Sequence, residues 1–169
     1  QNFTTAELLR VSNVLGHRII SIKNSVDFRI NGGKKLSGSI TTNASKYGTM
    51  ALIAASLLNK GKTTLRRIPK IEEFHRIIEV LQSIGVKVNW ANDSDLVIEP
   101  PEKYNLKNID VAAATKTRSV LMFIGPLLTH LTNFKIPHAG GCKMGNRTIM
   151  AHRFGLEELG ASIDTKNDY

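Results

Sequence analysis

Residues 140–147 combine the residue types that could carry out chemistry in this chain. Their sequence, GGCKMGNR, holds the only cysteine of the chain, three glycines and two cations. Glycines let the backbone approach a ligand closely, while Lys143 and Arg147 would favour the thiolate of Cys142 and attract an anion. The segment therefore predicts a reactive thiol beside an anionic ligand, against the alternative of a surface loop with an incidental cysteine.

Cations also stand at the starts of two predicted helices. Lys46 begins a helix whose other residues are mostly apolar or small, and Lys116 and Arg118 take the equivalent place further along the chain. A helix N-terminus attracts anions, and arginine can hold a phosphate or a carboxylate through two hydrogen bonds. The two helix starts therefore predict two walls of one anion site, although a lysine there can also extend its ammonium group into solvent.

The chain carries no recognisable metal or nucleotide motif. His138 and His152 flank the cysteine segment, but neither stands at a metal-ligand spacing from Cys142. The pair Gly32-Gly33 lacks the GxGxxG pattern of dinucleotide sites and predicts a hairpin turn instead. These residues are therefore only weak evidence for zinc, and the histidines are more simply read as packing or capping residues.

The elements that would position these residues follow from the pattern of apolar residues. A short amphipathic helix is predicted over residues 4–15. A helix buried on all sides is predicted over 43–59, with Asn43 as its cap, and an amphipathic helix over 71–84. The predicted strands are 27–30, 36–42, 63–68, 86–90 and 95–98, the last two joined by a turn at Asn92-Asp93.

The second half of the chain repeats the first. The aligned pairs are 46–58 with 116–128, 68–69 with 136–137, and 80–88 with 155–163. The extra residues of the second copy fall at the cysteine segment. We therefore predict a mixed α/β fold built from a duplicated strand-helix-strand-helix-strand unit, with the cysteine segment as an insertion on that scaffold.

The bulk properties favour a small anionic ligand. The chain has 169 residues and a formal net charge of +9, and its cations are spread out rather than grouped as in nucleic-acid arms. A single cysteine fits a reducing, cytoplasmic compartment. No secretory signal is visible, and no apolar run approaches the length of about 18 residues that a membrane span needs. A nucleic-acid module is supported by charge alone.

Several of these motifs together resemble one family. The matching residues are Gly32-Gly33-x-x-Leu36-x-Gly38, the helix with Lys46, the helix start with Arg118 leading into Gly125-Pro126-Leu127-Leu128, GGCKMGNR, and His152 with Gly155-Leu156-Glu157-x-Leu159-Gly160-Ala161. In this order they resemble the enolpyruvyl transferases, and specifically the branch that acts on UDP-N-acetylglucosamine, over residues 26–169. The cysteine segment makes the resemblance specific to that branch.

The resemblance implies a fold and a domain plan. Enolpyruvyl transferases are two-lobed proteins of repeated βαβαββ units, an inside-out α/β barrel. By this resemblance residues 1–25 are an N-terminal extension, 26–99 a first unit, and 100–169 a second, incomplete unit that carries the cysteine segment. The remainder of the enzyme, including its second lobe, would be the partner of this part.

The resemblance also implies a reaction. The enolpyruvyl group of phosphoenolpyruvate would pass to the 3'-hydroxyl of UDP-N-acetylglucosamine, and phosphate would be released. This reaction is the first committed step of peptidoglycan synthesis. Cys142 would be the general acid and the residue that fosfomycin alkylates. Lys46, Arg118 and Arg147 would hold phosphate and carboxylate groups. Tyr47 and Gly141 would complete the substrate site.

Two positions depart from the family pattern. Tyr47 follows Lys46 where the family has asparagine, and Met150 stands where the family has an aspartate near the uracil. These departures keep two alternatives open. One is an enolpyruvyl transferase with a different acceptor, and the other is a non-catalytic homologue that binds anionic metabolites.

Overall fold

The chain forms two compact units, residues 1–43 and 44–169. The computed structural model describes residues 20–22, 28–30, 32–33, 35–140 and 148–165. In the first unit, strands β1 (Ile20–Ile22) and β2 (Phe28–Ile30) pair antiparallel. The predicted strand at 27–30 is therefore present, while the predicted helix over 4–15 lies outside the described residues.

The predicted strand at residues 36–42 is wrong. These residues are exposed and form neither helix nor strand, and β2 pairs instead with the upstream β1, which the sequence pattern did not predict. The alternation at 36–42 includes small polar residues such as Ser37 and Ser39, which bring little apolar surface to bury. A hairpin strand without a buried face is only marginally stable.

The second unit combines a small antiparallel sheet with helices, so the predicted mixed α/β class is confirmed. Its α-helices are α1 (Lys46–Ser56), α2 (Glu72–Ser83), α3 (Val111–Ala114), α4 (Ile124–Leu128) and α5 (Met150–Glu158). Its strands are β3 (Thr63–Leu65), β4 (Lys87–Trp90) and β5 (Leu96–Glu99), in the spatial order β3-β5-β4. Turns of 3₁₀ helix lie at Leu106–Asn108 and Ser119–Phe123. The predicted pairing of β4 with β5 is confirmed.

One apolar core joins the two halves of this unit. Helix α2 buries Phe74, Ile77 and Leu81 at the spacing that the sequence predicted. The deeply buried side chains come from helices, strands and the 3₁₀ turn alike, and include Met50, Ile53, Leu57, Phe74, Ile77, Leu81, Leu96, Ile98, Phe123 and Leu127. Burying each side chain of this kind stabilises the fold by roughly 1.5–3 kcal/mol, so α2 has a firmly fixed position.

Helix α1 is shorter than predicted and is not buried on all sides. Its bounds fall inside the predicted range 43–59. Met50 and Ile53 face the core, whereas Leu52 and Leu58 are about half exposed. The core of the described residues covers one face of this helix, and the opposite face stays apolar and open.

The second repeat does not reproduce the first. Residues 116–128 were predicted to match the helix at 46–58, but they form the 3₁₀ turn followed by the short helix α4. Pro126 has no N–H to donate to a carbonyl one turn earlier, so an uninterrupted α-helix would lose a hydrogen bond there. Among the described residues, 129–139 and 161–165 form no strand.

Candidate active site

The start of helix α1 places a cation at a capped helix N-terminus. Ser45 caps the helix, its hydroxyl accepting the N–H of Gly48 at 3.1 Å, where Asn43 had been predicted. Lys46 is the first helical residue, and its side chain is 31% exposed. The ring of Tyr47 is 81% exposed and lies 5.8 Å from the Lys46 ammonium nitrogen. A positive charge therefore stands at a helix N-terminus, which suits an anion.

Glu73, in the first turn of helix α2, accepts hydrogen bonds from both regions that carry predicted site residues. Its Oε2 atom forms an ion pair with the Lys46 ammonium. Its Oε1 atom accepts from the hydroxyls of Thr117, at 3.0 Å, and Ser119. The Glu73 side chain is only 20% exposed, so this carboxylate is a partly buried junction between the start of α1 and the 117–119 turn.

Arg118 lies between the two hydroxyl residues that bind Glu73. The Thr117 hydroxyl oxygen also accepts the N–H of Ser119 at 3.1 Å, which tightens the 117–119 turn. The Arg118 guanidinium donates to the carbonyl of Thr148 at 2.7 Å. Lys116, which the sequence placed beside Arg118, is exposed. The structure thus brings Lys46 and the turn that carries Arg118 together on one carboxylate.

Both described flanks of the cysteine segment meet this same region. Gly140 packs so closely on Thr115 that an added Cβ atom would overlap the Thr115 carbonyl oxygen. On the other side, Thr148 contacts Arg118 through its carbonyl. Gly141, Cys142 and Arg147 lie outside the described residues. The chain therefore enters and leaves the cysteine segment beside residues 115–118.

A Gly140→Ala substitution should destabilise the protein because the new methyl group meets backbone, which cannot rotate away. Overpacking of this kind costs on the order of 1–3 kcal/mol. Gly155 in helix α5 is the control, since a Cβ there meets nothing within 4 Å. Gly155→Ala should stabilise by roughly 0.5–1 kcal/mol through helix propensity. Urea unfolding of both variants checks the pair, and equal stabilities would contradict the close packing at Gly140.

The hydrogen-bonding partners of Glu73 set the direction of its pKa. Burial opposes ionisation of this carboxyl, but the hydrogen bonds from Lys46, Ser119 and Thr117 and the charge of Lys46 together outweigh it. The pKa of Glu73 is therefore lowered from its ordinary value of 4.5. Ionised Glu73 is the form that the site stabilises.

This lowered pKa predicts a pH dependence of stability. Because the folded pKa lies below the unfolded one, the stabilisation is complete above about pH 4.5 and is lost as the pH falls through the folded pKa. We expect the free energy of unfolding to fall less steeply in Glu73→Gln than in wild type as the pH is lowered through this range. Urea unfolding at a series of pH values measures the two slopes.

The matched control is Glu72→Gln, one residue earlier in α2, whose carboxylate is mostly exposed and pairs with Arg76. Asp95, whose pKa is also lowered, first by the N–H of Arg67, stays in every variant. Its contribution therefore cancels from the comparison. Parallel slopes for wild type and Glu73→Gln would show that the donors around Glu73 do not favour its charge.

The described part of the chain shows no group of three histidine, cysteine, aspartate or glutamate side chains that could hold a metal ion. In the same residues no helix is both long and apolar enough to cross a membrane.

Sequence reasoning missed Glu73. A signal for it was present, because Glu73 precedes Ile77 by four residues and Val80 by seven, so it continues the buried face of α2. A carboxylate on a buried helix face requires partners. Such a residue is a candidate for a site even without a motif.

The fold and the site define a mixed α/β domain that presents a cation at a helix start. The chain belongs to the EPSP synthase family: the family model described as EPSP synthase (3-phosphoshikimate 1-carboxyvinyltransferase) matches residues 30–169.

Its curated relatives include UDP-N-acetylglucosamine 1-carboxyvinyltransferases. The one from Prochlorococcus marinus (strain NATL1A) is 31% identical over 153 residues, which cover 89% of this chain and 33% of the relative. The one from Campylobacter fetus subsp. fetus (strain 82-40) is 35% identical over 145 residues, covering 83% of this chain and 33% of the relative. The chain thus spans about a third of the length of these relatives.

Proposed function

We propose that the full-length protein transfers the enolpyruvyl group of phosphoenolpyruvate to the 3'-hydroxyl of UDP-N-acetylglucosamine and releases phosphate, as the first committed step of peptidoglycan synthesis. The relatives named for this activity support the substrates. The observation that carries the proposal is the convergence of Lys46 and the Arg118 turn on Glu73. It brings Lys46 and the turn that carries Arg118 into one region of the fold, and cations of these types can hold a phosphate and a carboxylate.

In the proposed reaction the acceptor hydroxyl adds across the double bond of phosphoenolpyruvate. The sugar oxygen bonds to C2 while a proton is added to C3, which gives a tetrahedral intermediate. Cleavage of the C2–O bond to phosphate and loss of a proton from C3 then restore the double bond. The cations have most effect on the charge that develops on the departing phosphate.

We assign roles to the predicted site residues on the family resemblance. Cys142 acts as general acid at C3 and is the target of fosfomycin. Lys46, Arg118 and Arg147 hold the phosphate and carboxylate groups. Tyr47 and Gly141 line the substrate site. No metal or organic cofactor takes part.

For the whole protein we propose the family architecture. Repeated βαβαββ units form an inside-out α/β barrel in each of two lobes, with residues 26–99 as a first unit and 100–169 as a second, incomplete unit of one lobe. The second lobe completes the site. We place the enzyme in the cytoplasm, where both proposed substrates are soluble, and assign it no nucleic-acid or membrane partner.

A different acceptor is the second candidate function. Tyr47 is 81% exposed beside Lys46, and Met150, the first residue of α5, is 57% exposed. Neither side chain can supply the amide or the carboxylate that the family pattern has there. An acceptor with a flat apolar face would suit both positions better than a polar uracil edge.

Phosphate release from phosphoenolpyruvate by the full-length protein tests these proposals. Release that depends on UDP-N-acetylglucosamine and is blocked by fosfomycin supports the first function. Release with another hydroxyl acceptor only would replace it by the second. Binding of phosphoenolpyruvate without release for any acceptor would identify a non-catalytic homologue. Salt-sensitive binding to random oligonucleotides without metabolite binding would overturn all three.

A further inference from the structure

Glu73 has no role in the function proposed above, yet it is the residue on which the site converges. We propose that Glu73 is a positioning residue for Lys46: it holds the Lys46 ammonium in the orientation in which lysine binds the phosphate or carboxylate of the substrate. This inference rests on the proposed function and adds a residue to it. The Glu73 carboxylate itself does not touch substrate.

The carboxylate of Glu73 has a fixed position. Glu73 precedes Phe74 and Ile77, both fully buried, so its backbone is anchored in the core. Its Oε1 atom accepts from Thr117 and Ser119, which fixes the plane of the carboxylate from the other side. Oε2 is thereby aimed at Lys46. A flexible lysine is ordered by a carboxylate that is already held in place.

Lys46 keeps the capacity to donate further hydrogen bonds. An ammonium group has three donors, and the ion pair with Glu73 uses Oε2 alone. The Lys46 side chain keeps 31% of its surface exposed, at the helix end where backbone N–H groups also point outward. Lys46 can therefore bind Glu73 and an incoming anion at the same time.

The negative charge of Glu73 is held by its own hydrogen-bond donors. A free carboxylate beside an anion site would repel the ligand, but three donors hold the Glu73 charge. Glu73 therefore adds little repulsion at the site while it restricts the rotational freedom of the lysine.

The test is a set of variants of the full-length protein. Glu73→Gln keeps the size of the side chain and removes its charge, and Glu72→Gln is the matched control on the exposed side of the same turn. We expect Glu73→Gln to lower the affinity for phosphoenolpyruvate, measured by calorimetry, on the order of 10-fold to 100-fold, as for other groups that orient a ligand-binding side chain. Glu72→Gln should stay within about twofold of wild type.

A double-mutant cycle separates positioning from a structural role. In a Lys46→Met background, Glu73→Gln should change the phosphoenolpyruvate affinity by less than about threefold, because its action runs through Lys46. The same loss in both backgrounds would mean that Glu73 only supports the fold, and an unchanged affinity of Glu73→Gln alone would also overturn the proposal.

The outcomes also distinguish this inference from the proposed function. If wild type releases phosphate and Glu73→Gln matches it in every respect, the function stands and the positioning role is refuted. If wild type binds phosphoenolpyruvate but releases no phosphate with any acceptor, the transferase function fails and the binding cycle still decides the role of Glu73. If wild type binds no phosphoenolpyruvate and no inorganic phosphate, both proposals are refuted.

Discussion

Cys142→Ala in the full-length protein is expected to lower the rate of phosphate release from phosphoenolpyruvate on the order of 10²-fold to 10⁴-fold. The proposed reaction must deliver a proton to C3 of phosphoenolpyruvate, and alanine has no proton to deliver. Cys142→Ser should be impaired to a similar extent, because a serine hydroxyl is a much weaker acid than a thiol. Rates under saturating substrates measure both variants.

The affinity for phosphoenolpyruvate should stay close to that of wild type in Cys142→Ala. Its anionic groups are assigned to Lys46, Arg118 and Arg147, none of which this substitution removes. Calorimetry provides that control. In the wild-type protein, peptide mass spectrometry should find fosfomycin attached to the peptide that contains Cys142. A rate within about threefold of wild type would remove Cys142 from the general-acid role.

Lys46→Met should have the second-largest effect and a different kinetic signature. Removing one hydrogen-bond donor to the charge that develops in the transition state lowers turnover on the order of 10²-fold to 10³-fold. Because we also assign Lys46 to the binding of phosphoenolpyruvate in the ground state, the affinity for phosphoenolpyruvate should fall together with the rate, unlike in Cys142→Ala. Initial rates over a range of phosphoenolpyruvate concentrations separate the turnover number from the Michaelis constant.

This substitution also leaves Glu73 without its cation. The carboxylate keeps the hydroxyls of Thr117 and Ser119 but lies in a site where only 20% of its side chain is exposed. We therefore expect a loss of stability in Lys46→Met that Lys46→Met/Glu73→Gln partly restores. Lys60→Met, at an exposed lysine beyond the end of α1, is the matched control. A Lys46→Met enzyme with wild-type turnover would remove Lys46 from the site.

The sequence predicted best those elements in which the spacing of apolar residues matches the face that is buried. Helix α2 has buried side chains at helical spacing over its whole length. Strands β4 and β5 alternate buried and less buried residues on either side of the Asn92-Asp93 turn. In these segments the local pattern and the tertiary environment agree, so periodicity alone was sufficient.

The second repeat was predicted less well because sequence similarity to the first half does not report which backbone hydrogen bonds the second half can form. Pro126 interrupts the hydrogen bonds that the aligned helix α1 keeps, and the chain adopts a 3₁₀ turn before it. The predicted strand at 36–42 failed for another reason. Strands depend on partners elsewhere in the chain, and the partner of β2 proved to be β1.

The candidate site was predicted in part. The sequence placed Lys46 and Arg118 near one another, and the structure brings the start of α1 and the turn around Arg118 to one carboxylate. Glu73 was not found, since its three donors are distant in sequence and no motif includes it. The functional roles of all the predicted site residues stay predictions: Lys46, Tyr47, Arg118, Gly141, Cys142 and Arg147.

The shared carboxylate of Glu73 has a consequence for how such a sequence can diverge. Replacing Lys46 alone leaves the partly buried carboxylate of Glu73 without its cation, and replacing Glu73 alone leaves the Lys46 side chain without its anchor. Either substitution alone therefore gives a weakened protein. A lineage that abandons the anion site is therefore expected to replace both residues together, with the hydroxyls at Thr117 and Ser119 free to vary afterwards. Homologues in which both residues are replaced would therefore be the ones that have lost the proposed anion site and its catalysis.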